Sequence, residues 1–115
     1  MKDISKTITY NDRDYKIVFN LNVMEQIQEE YGSLKKWGEL TDGESGEPNA
    51  KAVIFGFTAM LNEGIDIDNE ENDTDIPPMT LKQVGRLITN IGIDEATKQL
   101  NDTVIESTKS EEKNA

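Results

Sequence analysis

The chain has 115 residues, neither Cys nor His, and 23 acidic against 12 basic side chains, giving a net charge of −11. This excludes a second ordinary domain, disulfides, thiol nucleophiles, Cys or His metal centres and any Ser-His-Asp triad, so no enzyme and no cofactor are expected. The acid surplus has the wrong sign for a phosphate backbone or an anionic membrane, which reward clustered Lys and Arg, so neither is expected as a partner.

The first ten residues contain no apolar signal core, and the longest apolar run, 52–61, is broken by Gly56 and Thr58 and is far short of a membrane span. A cytoplasmic protein is expected. Residues 4–21 alternate in two runs, with Ile4, Ile8 and Tyr10 on one parity and Tyr15, Ile17, Phe19 and Leu21 on another, separated by Asn11-Asp12-Arg13-Asp14. This predicts a β-hairpin whose Tyr15, Ile17, Phe19, Leu21 face packs on helices, since two strands alone are marginal in water.

Asn22 and Glu25 stand as a capping box at the start of a helix with an apolar stripe of Val23, Met24, Ile27 and Tyr31, closed by Gly32. Ser33 starts a short second helix with Leu34, Trp37 and Leu40 at three-residue spacing, weakened by Gly38. Residues 41–47 read as a loop. Pro48 suits the first turn of a third helix, apolar nearly all round, that runs to about Glu63 at the centre of the fold.

Residues 62–76 hold seven acids and no base, so this stretch alone contributes −7 of the −11. It reads, with Pro77-Pro78, as an acidic linker over 62–78. Thr80 and Gln83 form a second capping box before the stripe of Leu81, Val84, Leu87, Ile88 and Ile91, which Gly92 closes. Asp94 caps a last helix carrying Ala96, Leu100 and Val104 at four-residue spacing, and residues 107–115 read as a disordered tail. The expectation is a single α+β domain over 1–106, with an N-terminal β-hairpin packed on a small bundle of four or five helices.

Chemistry-bearing patterns are few. Asp66, Asp68 and Glu70 alternate like the first ligands of a calcium loop, but the sixth position is Glu71 instead of Gly and the twelfth is Pro77 instead of Glu. No phosphate-binding glycine pattern follows a strand, and the pair Glu29 and Glu30 lies on the polar face of a helix. Gly56 and Gly85, inside helices, cost about 1 kcal/mol each relative to Ala, which suits either a close helix crossing or a groove for a partner helix. Trp37 is either core or an interface anchor. Trp37, Leu40, Gly56, Gly85, Leu100 and Val104 are the candidate partner-binding residues; no catalytic or metal-binding residue is assigned.

Taken in order, the phrases YKIVFNLN, EEYGSLKKW, AKAVIFGFTAMLNEG and MTLKQVGRLI resemble those of the tail assembly chaperones of long-tailed phages and prophages of low-GC Gram-positive bacteria. The resemblance runs from Ile4 to about Val104. It is carried by Glu29, Glu30, Tyr31, Gly32, Ser33 and Leu34 and by Met79, Thr80, Leu81, Lys82, Gln83 and Val84; Gln83 stands where an acid is common, and the acidic linker is long for the family. The resemblance implies a non-enzymatic assembly factor that binds the tape measure protein, keeps it soluble and promotes polymerisation of the tail tube around it. Such a protein works in the bacterial cytoplasm and is absent from the mature virion. Self-association is compatible with it, and a frameshifted longer form would contact the major tail tube protein. Glu112-Lys113-Asn114 can be encoded over an A-AAA-AAC heptamer suited to such a slip. The rival expectation is an acidic regulator or adaptor, including a DNA mimic. The placing of most acids in one flexible loop argues against mimicry.

Overall fold

In the computed structural model, which describes residues 4–42 and 46–113, β1 (Ile4–Tyr10) pairs antiparallel with β2 (Arg13–Phe19). The register sets Lys6 opposite Ile17 and Ile8 opposite Tyr15. The turn is tighter than the four residues expected: only Asn11 and Asp12 lie outside the ladder, both with left-handed backbone at φ 52° and 62°. Two successive positive φ angles match the twist of the strands they join, and Asn and Asp tolerate them. Asp14 belongs to the ladder and accepts a 2.6 Å hydrogen bond from the Thr9 hydroxyl. Ile8, Ile17 and Phe19 enter the core as the alternation predicts, and Val18 on the other face is buried too.

Among the described residues five helices follow: α1 (Leu21–Tyr31), α2 (Leu34–Asp42), α3 (Ala50–Asn72), α4 (Leu81–Ile91) and α5 (Ile93–Lys113). The α+β architecture is the one expected. Helix α1 starts earlier than predicted. Asn20, still extended, caps it by accepting from the Val23 N–H at 3.2 Å. The Asn22 side chain instead joins that of Asn20 in donating to the Glu63 carboxylate, at 3.1 and 2.6 Å. Leu21 therefore turns out of the strand face and is 68% exposed. Helix α2 retains Thr41 and Asp42, expected in the loop; the buried Thr41 hydroxyl donates to the Gly38 carbonyl at 3.1 Å. Gly43 of the expected loop lies outside the described residues.

The largest correction concerns α3. Asn49, not Pro48, precedes it as the cap, and it continues nine residues past Glu63 to Asn72, so most of the expected acidic linker is helix. Leu61 and the buried Ile65 one turn later extend the core stripe into the acidic stretch. Gly64 brings the helix against the backbone of β2, where any Cβ would collide with the Lys16 carbonyl. Lys16 reaches Asp68 at 3.1 Å across the same contact, and that hydrogen bond and charge hold its ammonium above the usual lysine range.

After the left-handed cap Asp73, only residues 74–80 are irregular, and two asparagines of α3 hold them down. The Asn62 amide exchanges two hydrogen bonds with the Met79 backbone, at 3.0 and 2.9 Å. Asn69 does the same with Ile76, both at 3.0 Å, and also accepts from the Thr74 hydroxyl at 2.8 Å. The capping box of Thr80 and Gln83 is formed as predicted, at 2.8 and 3.1 Å. Gly92, at φ 96°, closes α4 and immediately joins α5, so Asp94 sits in the first turn of α5 and is not its cap.

The tail is also corrected. Helix α5 carries on to Lys113 in place of a disordered segment from 107, and Ser107 is fully buried. Its buried stripe is Ala96, Leu100, Thr103 and Ser107. This drifts off the predicted four-residue spacing because an α-helix turns every 3.6 residues. Thr103 and Ser107 are small enough to bury although polar; the Thr103 hydroxyl is satisfied by the Gln99 carbonyl at 2.7 Å. Domain limits drawn at 106 thus cut through a packed helix.

Gly56 carries the other close approach: the Trp37 ring lies where its Cβ would stand, and the indole N–H donates to the Ala52 carbonyl at 2.9 Å. Gly56→Ala and Gly64→Ala are each expected to lower stability by about 1–3 kcal/mol, overpacking outweighing the roughly 1 kcal/mol gained in helix propensity. Gly38→Ala, which meets no neighbour within 4 Å, should stabilise by about 0.5–1 kcal/mol. Urea denaturation of the three variants checks both signs.

Candidate functional site

Helix α3 has more apolar circumference than its neighbours cover, and the excess opens on the side where α4 crosses it. Ile54, Phe55, Leu81 and Gly85 line a groove of about 460 Å³, with Lys51 and Lys82 on its rim. At one end Ile54 and Gly85 are shared with a hollow of about 290 Å³ that reaches Ile93. At the other end Phe55 and Leu81 are shared with one of about 260 Å³ bounded by Gln26, Glu63 and Asp66. The joined concavity follows α3 from Ala50 to Asp66, roughly 24 Å at the rise of an α-helix. Leu81 and Ile93, 55% and 38% exposed, form part of its wall.

The wall is held by identifiable contacts. The Tyr31 ring, at the end of α1, meets Phe55 edge to face with centroids 5.6 Å apart, a favoured geometry for two aromatic rings. The Tyr31 oxygen is buried and has no hydrogen-bond partner among the described residues. Burial, with the nearby Glu30 charge adding to it, pushes the phenol above its ordinary pKa. Gly85 forms the floor; a Cβ there would make only an ordinary 3.7 Å contact with Ile54, so its missing side chain leaves open space instead of admitting a neighbour.

Charge is unevenly placed along the groove. The first half of α3 carries one charge, Lys51, whereas its second half carries Glu63, Asp66, Asp68, Glu70 and Glu71. Lys51 is 78% exposed at its side chain and touches Glu30 only at 4.0 Å. Among the described residues no group of three carboxylates is arranged to hold a metal ion, and no helix is long and apolar enough to cross a membrane.

Of the six residues expected to bind a partner, only Gly85 lines this groove. Trp37 and Leu100 are 1% and 0% exposed, so both are core, and Gly56 serves the Trp37 ring instead of a partner helix. Leu40 and Val104 are half-buried and pack against the core from α2 and α5. Ile54, Phe55 and Leu81, which line the groove, are not among the six expected residues. Their signal was present: an apolar circumference wider than one core-facing stripe, and a Leu at the first position of α4, just after its cap.

Comparison with protein-family models, with curated proteins and with solved structures finds no match to this chain.

The Tyr31 shift fixes a pH dependence. The folded state holds the phenol proton more tightly than the unfolded chain, so this contribution to stability is complete below about pH 10 and is lost as pH rises through the folded pKa. Tyr31→Phe should therefore reduce the fall in melting temperature as pH rises above about 10. At neutral pH it should leave stability unchanged or raise it by up to about 1 kcal/mol, because the buried hydroxyl it removes has no hydrogen-bond partner among the described residues. Thermal melts at neutral and alkaline pH test both statements.

Proposed function

We propose that this chain is a tail assembly chaperone of a long-tailed phage or prophage: a non-enzymatic factor that binds the tape measure protein, keeps it soluble, and promotes tube polymerisation around it. The observation that carries the reading is the long apolar groove between α3 and α4 on an otherwise strongly acidic chain. A tape measure presents apolar helical stripes that aggregate when left uncovered, and an open groove of this length takes one by helix-in-groove docking. The resemblance of the EEYGSL and MTLKQV phrases points the same way. Tyr31 of the first braces Phe55, and Leu81 of the second supplies a wall of the groove. The high negative charge keeps a loaded complex soluble. Cytoplasmic action, absence from the finished virion and a frameshifted form that contacts the tube protein belong to the same proposal.

One observation favours the rival reading of an acidic adaptor or DNA mimic. Five of the seven clustered acids sit on α3, a rigid helix, and not in a flexible loop. A mimic would compete with DNA for a basic protein and would not need the apolar groove.

Co-expression with a tape measure protein encoded beside this gene distinguishes the two. The chaperone reading predicts that the tape measure is recovered soluble and co-purifies only when this chain is present. Leu81→Glu should reduce that recovery several-fold without unfolding the protein, since Leu81 is exposed and an acid in the first turn of α4 is favoured by the helix dipole, by about 0.3–1 kcal/mol. Equal recovery with and without this chain, or with the variant, overturns the proposal.

A further inference from the structure

We infer that the α3–α4 groove selects an amphipathic helix carrying its own charge separation, with acidic residues laid over Lys51 and Lys82 and basic residues over Glu63 and Asp66. The identity of the natural partner rests on the chaperone reading above; the charge preference of the groove does not.

The apolar floor alone would accept any helix with residues at i, i+3, i+4 and i+7 to fill the spaces beside Ile54, Phe55 and Leu81. Charge complementarity narrows the occupant. In a chain with nearly twice as many acids as bases, the described residues lining the groove's centre include two lysines and no acid, Glu30 standing outside it at 4.0 Å from Lys51, and those lining its far end include two acids and no base. The α3 macrodipole has the same sense, but α4 runs antiparallel to α3, its positive N-terminus at Leu81 facing the Glu63 and Asp66 end, so the two backbones offset and the side-chain charges set the pattern. Rim charges of this kind set orientation and encounter rate more than affinity from area, and they exclude helices with like charges at the same places. A wholly basic helix, which the net charge would attract from a distance, meets two lysines when it docks. A wholly acidic one meets Glu63 and Asp66.

The test uses the intact chain and a synthetic helical peptide of about 16 residues, the length of the groove. The peptide bears a Leu stripe, two Glu at one end and two Lys at the other; a twin carries Gln in place of all four charges. Binding is read by fluorescence anisotropy at low and high salt. The charged peptide should bind more tightly than its twin, with the difference shrinking as salt rises. The double variant Lys51→Glu/Lys82→Glu should weaken the charged peptide by about tenfold or more and the Gln twin by less than about threefold. Lys35→Glu/Lys36→Glu, exposed on α2 and outside the groove, imposes the same change in net charge and should leave binding within about twofold. Circular dichroism verifies that both variants stay folded.

Equal weakening by the two pairs means long-range charge alone and overturns the inference, as does a Gln twin that binds as well as the charged peptide. Failure of both peptides to bind removes the groove as a helix site. A result in which the peptide preference holds but a tape measure is not solubilised leaves the charge-selective groove standing and removes the chaperone reading.

Discussion

The structure depends on how closely other elements can approach α3. A helix with side chains at every position keeps its neighbours about 8–10 Å from its axis. Gly56 and Gly64 remove that spacing at two points, admitting the Trp37 indole on one side and the β2 backbone on another. With hairpin and α2 both drawn in, a domain of this size gains a core that includes fully buried Trp37, Phe19 and Phe57 around a single central helix. What neighbours do not cover is then confined to one seam, and the groove with α4 is that remainder.

Much of this was legible because local chemistry and tertiary structure agree. The alternation of 4–19, the Thr80 and Gln83 capping box, and the glycines at 32 and 92 each specify one local geometry, and each is found. Legibility failed where composition masked periodicity. Seven acids in 15 residues looked like a solvated linker, although Leu61, Gly64 and Ile65 keep one face of α3 against the protein to its second half. Thr103 and Ser107 hid the continuation of α5, because small polar residues bury without altering an apolar pattern. The groove was the hardest to read. Whether an apolar residue is covered depends on the position of the next helix, and a one-dimensional pattern separates Trp37 in the core from Leu81 on the wall only once that position is known.

The helical extension also changes what the charge of −11 means physically. Acids on a flexible linker form a diffuse cloud that salt screens evenly. Acids fixed on one half of a 23-residue helix, with a lysine in the other half, form an oriented field along a surface with an apolar floor. Such a field informs the approach of a partner as well as keeping the protein in solution.

The asparagine clasp over residues 74–80 implies a rule for where this chain tolerates changes in length. Asn62 and Asn69 are two helical turns apart, roughly 10 Å, and the backbone groups they hold, on Ile76 and Met79, are three extended residues apart, also roughly 10 Å. Between these anchors lie only Pro77 and Pro78, which have no N–H to satisfy. The two spacings are commensurate, so a residue added between the asparagines rotates one amide about 100° away from its partner, and one added between Ile76 and Met79 overshoots it. Asp73 and Thr74 are themselves bonded to Asn69, so insertions are best admitted beside Asp75, between the Thr74 and Ile76 contacts. Related chains with longer or shorter acidic stretches would place the difference there, leaving the asparagine spacing untouched.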